Sequence, residues 1–322
     1  MVADAVAVGW GVDILSLQYL AVGGGGYHWR LKGADGRELF VTVDDLDEKD
    51  WLGDDRPGVA EGLSASLSTA WWLRDDARLA FVMAPLPTRK GDPLVRLGER
   101  FAVSITPYVD GRSSPFGPYR DRALRRRVLD MLISMHAVNA SAGIPDHTRP
   151  RVGARLHLDG FLQNTEEIWD SGPFGERARE LLAPHAEQLA ARLEDFDDIC
   201  ASLPSDHTVI THGEPHAANV MVVAGHELLI DWDTVGIAVP ERDLWFVVDD
   251  AADMEHYAAE TGYRPNSTAL ALYRTRWRFD DLCSIVTGLR SDHSDCDGSD
   301  RWLAALDPLI DEILGAPAAR IE

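Results

Sequence analysis

Lysine is nearly absent from this chain. Of its 31 basic residues only Lys32, Lys49 and Lys90 are lysines, and 53 acids bring the formal net charge to -22. A chain this acidic offers no basic footprint to a phosphodiester backbone, which argues against a nucleic-acid partner. Cysteine is scarce too: Cys200, Cys283 and Cys296 are odd in number, widely spaced and form no CxxC pair, so neither a disulfide framework nor a zinc knuckle is supported. No apolar run reaches the roughly 18 residues of a membrane span, and the start, MVADAVAVGWGVD, lacks a basic region ahead of an apolar one. The expectation is a cytoplasmic protein with no membrane partner; nothing bears on its oligomeric state. Repeats and long Pro/Gly tracts are also missing. What remains, 45% hydrophobic and 26% charged over 322 residues, is a globular chain with room for two domains that can form a cleft. Its acidity is compatible with a cationic small substrate and equally with solubility alone.

The most informative stretch is Thr211 to Asp233, THGEPHAANVMVVAGHELLIDWD. An apolar run from Thr208 to Ile210 leads into His212, Gly213 and Glu214, polar groups that are costly to bury unpaired and so suggest a loop at the mouth of a sheet. Asn219 opens a second run, Val220 to Val223. Ala224 to Glu227 then turn the chain into Leu228, Leu229 and Ile230, which predicts a short hairpin. The far strand ends in Asp231, Trp232 and Asp233, so the turn brings Asp231, Asp233, Asn219 and Glu214 to one end. Oxygen donors grouped in this way suit phosphoryl transfer, which needs hard divalent cations held near phosphate and a carboxylate facing the attacking hydroxyl. Asn219 and Asp231 are the candidate magnesium ligands and Glu214 the candidate catalytic carboxylate. From spacing alone, Asp and Asn at such positions serve equally as turn formers.

The His212-Gly213-Glu214 triplet, Asn219 five positions after the acid, the apolar strand and the Ile230-Asp231-Trp232 triplet resemble the signature of the aminoglycoside phosphotransferase and choline kinase family. The resemblance implies an α+β, bilobal protein kinase-like fold: a small antiparallel-sheet lobe over residues 1–107 that binds nucleotide, and a larger, mainly helical lobe over 108–322 with the catalytic hairpin. It also implies ATP and Mg2+ as cofactors and a small-molecule hydroxyl as acceptor. Gly236, Pro240 and Asp243 resemble the segment after the metal-binding aspartate, with Asp243 holding the fold rather than touching substrate. His136, at the end of a predicted helix, resembles a structural histidine. One position departs from the pattern, because Glu214 stands where the family has aspartate.

Upstream, residues 9–20 predict a short helix and an edge strand. The run Gly23, Gly24, Gly25 and Gly26 is not GxGxxG, yet four glycines between strands let backbone amides approach phosphate. By resemblance this is the nucleotide-covering loop, and without it a plain hairpin turn. Residues 38–43 read as the next strand, where kinase-like folds place a phosphate-pairing lysine; the equivalent here is Thr42, a second departure. Arg30, Lys32 and Lys49 are the candidate replacements. Parity sets Arg30 and Lys32 on one strand face with His28, whereas Lys49 lies in the acid-rich DDLDEKD segment, an ordinarily solvated setting. Residues 57–73 predict a helix carrying Glu61, the candidate partner of the missing lysine. Residues 79–84 and 101–106 read as strands, and Thr106 to Gly111 as the interlobe connection, with Thr106 and Tyr108 beside adenine.

Helices are expected over 120–138, within 156–203, from Leu244, and over 277–286, and a polar loop over 291–300. In the resembled family late acids contact substrate amines, which makes Asp249, Asp250, Asp253, Glu255, Asp280 and Asp281 candidates; as residues alone they read as exposed acids. The expected activity is ATP- and magnesium-dependent phosphoryl transfer to a hydroxyl of a small, cationic molecule such as an aminoglycoside-like antibiotic. The alternatives are a kinase of a hydroxylated metabolite, a nucleotide-binding pseudoenzyme or regulatory protein, and a nucleotidyltransferase.

Overall fold

A computed structural model describes residues 1–203, 206–294 and 298–315. Cys296 and the middle of the expected 291–300 loop lie outside the described residues. The fold is α+β and bilobal, with an N-terminal lobe built on an antiparallel sheet and a larger helical C-terminal lobe. Its contacts divide the chain into two compact units, residues 1–148 with 207–265, and residues 149–206 with 266–322.

The first unit opens with α1 (Val2–Trp10), followed by β1 (Ile14–Leu20), β2 (Gly26–Gly33) and β3 (Glu38–Asp45). The helix begins well before the expected residue 9, because Met1 to Ala7 carries helix formers up to the left-handed Gly11 that ends it. After α2 (Arg56–Asp75) come β4 (Val95–Leu97) and β5 (Phe101–Pro107), giving one sheet in the order β1-β2-β3-β5-β4. Alternation decides its two faces. Leu39, Val41, Val43, Val103 and Ile105 pack on Val6 and Trp10 of α1. The opposite face carries His28, Thr42 and Ser104 in direct register. Helix α2 starts where Asp55 accepts a hydrogen bond from the Gly58 amide with Pro57 in the first turn, and packs Val59, Ala60 and Leu63 against Leu46 and Ala102.

Residues 79–84 do not form the expected sheet strand. Their backbone instead joins the hairpin through Met83 N to Leu229 O at 3.0 Å and Leu229 N to Phe81 O at 2.7 Å. Pro85 and Pro87 follow at once and remove the donors a longer ladder would need. The unit continues with β6 (Arg112–Ser113) and α3 (Arg122–His136), and resumes with β7 (Val209–Thr211), β8 (Val220–Val223), β9 (His226–Leu229) and β10 (Gly236–Ala238). Strands β8 and β9 are the expected hairpin, with β6 on its outer edge; β7 pairs with β10. Short α7 (Glu241–Leu244) and α8 (Ala251–Thr261) follow, so the helix expected from Leu244 breaks at 245–250 and restarts behind the Asp250 cap.

The second unit consists of α4 (Leu156–Gln163), α5 (Gly175–Leu182), α6 (Ala186–Ser202), α9 (Ser267–Arg290) and α10 (Ser299–Gly315), around Leu158, Phe161, Leu189, Phe196, Phe279 and Leu282.

Candidate active site

The loop between β7 and β8 is held from below by one carboxylate. Asp243 of α7 is fully buried and accepts hydrogen bonds from the backbone N–H of His212 at 2.8 Å and of Gly213 at 2.7 Å. His136 Nε2 lies 3.2 Å from the same carboxylate, and the Tyr257 hydroxyl 2.8 Å from His136 Nδ1. Burial alone would favour the acid, but the hydrogen bond and charge of His136, with His212 and Arg242 nearby, outweigh it and keep Asp243 below the ordinary carboxylate range. Arg242 completes the brace, donating to Thr211 Oγ1 and to the Thr234 carbonyl, both at 2.7 Å. Gly213 has φ of 99°, and a Cβ there would sit 2.5 Å from the Arg242 guanidinium, so only glycine fits.

His212 fixes the next residue. Its Nε2 donates to the Ile230 carbonyl at 2.9 Å, which leaves Nδ1 to accept the N–H of Glu214 at 3.2 Å. Burial pushes this imidazole down to about 4. The loop therefore presents Glu214 on a neutral histidine of fixed tautomer. Tyr119 donates to the Pro215 carbonyl at 2.6 Å, and Phe116 packs edge-on against His216 with ring centres 4.8 Å apart. The Asn219 amide donates through Nδ2 to the Glu214 carbonyl at 3.0 Å, which leaves Oδ1 as its acceptor oxygen. Asn219 is also locked to the far strand, since Ile230 N donates to its carbonyl at 2.9 Å.

Asp231 follows with φ of 66°, a left-handed conformation uncommon outside glycine. Asp231 remains exposed to solvent on one side, although protein atoms crowd its carboxylate on the others. That surrounding protein, followed by the charges of Asp233, Glu214 and Asp44, raises its carboxyl well above the ordinary range against the pull of Lys49. Lys49 places its ammonium 2.5 Å from Asp233 Oδ2 and 3.2 Å from Asp44 Oδ1. Burial works against that charge, but Asp233 and Asp44 outweigh it and hold the ammonium above its ordinary range. Lys49 is 4% exposed, so the solvated setting expected of the DDLDEKD segment is corrected by two carboxylates, one of them 184 residues away.

Other candidates divide by position. The Gly23–Gly26 turn carries positive φ at Gly23 and Gly25, and added side chains at Gly24 and Gly25 would meet open space. Thr42 lies 3.3 Å from His28 Nδ1. Arg30 and Lys32 both pair with Glu38, and Arg30 also stacks over Tyr108 at 4.2 Å. Thr106 is the penultimate residue of β5, and Glu61 is exposed on α2. Among the expected substrate acids, Asp249 and Asp253 pair with Arg125 of α3, Asp250 caps α8 and reaches Arg122, and Glu255 pairs with Arg264. In the second unit Asp280 accepts the Gly153 N–H and pairs with Arg276, while burial and Asp280 raise neighbouring Asp281 to about 6. Sequence reasoning missed Asp44, whose one signal was the acid content of the DDLDEKD segment, and left Asp233 without a role although it grouped that residue with Asp231 at the end of the hairpin.

The bilobal fold, with its glycine-turned antiparallel sheet and helical C-terminal lobe, is that of a protein kinase-like phosphotransferase family. The profile of the phosphotransferase enzyme family matches residues 28–279, and the chain belongs to that family. It is 26% identical to protein StrN of Streptomyces griseus over 250 residues, 71% of this chain and 72% of that protein. In fold it is similar to a spectinomycin phosphotransferase, APH(9)-Ia, in complex with ADP and spectinomycin, with a TM-score of 0.72 and 16% identity over 97% of this chain and 96% of that one. An amicoumacin kinase bound to AMP-PNP and Ca2+ aligns with a TM-score of 0.62 and 12% identity, over 100% and 95% of the two chains.

Proposed function

We propose that this protein transfers the γ-phosphoryl group of ATP, with magnesium, to a hydroxyl of a small cationic molecule of aminoglycoside-like chemistry. The observation that carries the reading is the convergence of Glu214, Asn219 and Asp231 on the loop and hairpin that Asp243 and His212 hold rigid. Residues 1–107 serve the nucleotide, and residues 108–322 the chemistry and the acceptor. Kinship with a spectinomycin phosphotransferase and an amicoumacin kinase, whose names carry antibiotics, supports an antibiotic acceptor over a simpler metabolite.

The donor set fits the ion. Among the described residues no three His, Cys, Asp or Glu side chains converge as a metal cage, but magnesium beside a nucleotide needs only one or two protein oxygens plus phosphate and water. Asn219 Oδ1 and Asp231 supply those, and the crowding that raises Asp231 is what a dication relieves. When bound, magnesium would neutralise charge on the β- and γ-phosphates. Glu214 then orients the acceptor hydroxyl and takes its proton as the oxygen–phosphorus bond forms and the bond to the β-phosphate oxygen breaks, releasing ADP. Positioning and electrostatics dominate such a step.

The test is product mass after incubation with ATP, Mg2+ and a mixed panel of aminoglycoside and related antibiotics and hydroxylated metabolites. A phosphate added to an amine-bearing antibiotic is expected. A nucleotide added would make the protein a nucleotidyltransferase, phosphate added only to metabolites would move the acceptor class, and ATP bound but never consumed would favour a regulatory role.

A further inference from the structure

Kinase-like sites ordinarily grip phosphate with a strand lysine braced by a helix acid, and here both positions fail: Thr42 occupies the strand and Glu61 is exposed on α2. We infer that Lys49, from the corner after β3, is the phosphate-gripping cation of this chain, and that Asp44 at the end of β3 is the positioning carboxylate that stands in for the helix acid. The inference rests on the ATP-dependent reading above and adds which residues hold the nucleotide's phosphates.

Three observations converge on one spot. Lys49 is buried between Asp44 and Asp233, at 3.2 and 2.5 Å. Gly26, the last glycine of the turn, is the register partner of Asp44, and a Cβ built on it would lie 3.7 Å from Asp44 Oδ1, so the turn enters β2 beside the pair. By alternation Asp44 shares a sheet face with His28, Thr42 and Ser104, which puts the Lys49 ammonium at that face, and its charge adds to burial in lowering the pKa of His28. The competing cations lie on the same face but farther along β2, where Arg30 and Lys32 share Glu38.

The two carboxylates differ in place. Asp44 belongs to β3, the strand paired with the one that leaves the turn, and Asp233 to the end of the hairpin, two residues past Asp231. Lys49 keeps Asp44 and exchanges Asp233 for a phosphate oxygen when nucleotide enters. A charge-assisted contact of this kind is worth about tenfold to a hundredfold in affinity.

Calorimetric titration of wild type, Lys49→Met, Lys49→Arg and Asp44→Asn with ATP plus Mg2+, and separately with adenosine, tests the assignment without turnover. ATP affinity should fall about tenfold to a hundredfold in Lys49→Met and about threefold to tenfold in Asp44→Asn, with partial recovery in Lys49→Arg and adenosine affinity unchanged throughout. A purely structural role would weaken both ligands together. Because Lys49→Met leaves buried Asp44 and half-buried Asp233 facing each other without the ammonium between them, the Lys49→Met/Asp44→Asn double variant provides a charge-balanced background in which the same selective loss is expected. Wild-type affinity for ATP in these variants, parallel loss of ATP and adenosine, or selective loss in Arg30→Gln or Lys32→Met instead would overturn the assignment alone. Failure of the wild-type protein to bind ATP would overturn the phosphotransferase reading and this assignment with it.

Discussion

Glu214 carries one methylene more than the aspartate of the resembled motif, which extends the carboxylate farther from the loop that holds its backbone. Its backbone N–H is accepted by His212 Nδ1 and its carbonyl accepts from Asn219 Nδ2, so the loop sets where the residue starts. Glu214→Gln keeps shape and hydrogen-bonding reach but cannot take a proton. The expected outcome is a loss of turnover of at least about a hundredfold, the range a positioned general base contributes, with an unchanged melting temperature and unchanged ATP affinity by titration. Retention of full turnover would remove Glu214 from the reaction. Lys49 shows why single residues are hard to read in sequence. Six local residues, DDLDEK, describe a solvated acidic turn; the ion pair that buries its last member depends on Asp233, which only the fold brings near.

At the scale of elements, the catalytic loop owes its shape to α7. One carboxylate of that helix satisfies two successive backbone donors and His136, an arrangement in which removing the charge leaves buried groups poorly matched. Asp243→Asn replaces an acceptor oxygen by an amide that must face a donor. A loss on the order of 3 kcal/mol in chemical denaturation is expected, and activity should fall even in the folded fraction because Gly213 and Glu214 lose their anchor. A variant as stable as wild type would show that the brace is dispensable.

The hairpin of β8 and β9 was legible in sequence because its turn, its apolar alternation and its polar ends are all local, and so were α2, α3, β5 and the structural reading of Asp243 and His136. Residues 79–84 were not, because their apolar pattern is equally that of a strand and of the extended segment that binds the hairpin through Leu229; the choice is made by residues 145 positions or more downstream. β4 was missed for the same reason, three residues being too few for any period.

Across the molecule, charge works in opposing senses that pH separates. His212 is neutral in the fold, its pKa brought down to about 4 from an ordinary 6.5 by burial. In that window the unfolded chain binds the extra proton, so His212 contributes fully above pH 6.5 and its contribution is lost as pH falls toward 4, on the order of 3 kcal/mol in all. Asp44 and Asp231, both raised by burial, act oppositely, since their protonation stabilises the fold as pH falls. The histidine effect is therefore read as the difference in unfolding free energy between wild type and His212→Gln, which should shrink steadily from pH 6.5 to 4. A difference independent of pH would mean that His212 is protonated in the fold. Low pH also takes away the acceptor that holds the Glu214 N–H, so activity should fail before the chain unfolds.

The central claim is that the γ-phosphoryl group, and nothing else, passes from ATP to an acceptor hydroxyl. ATP labelled with heavy oxygen in its γ-phosphate tests this directly, by the masses of both products with an acceptor from the panel. The account predicts labelled phosphate on the acceptor and unlabelled ADP in equal amount, with neither formed by Glu214→Gln. Label recovered in pyrophosphate with a nucleotide on the acceptor, or ADP formed with no modified acceptor in any mixture, would contradict it.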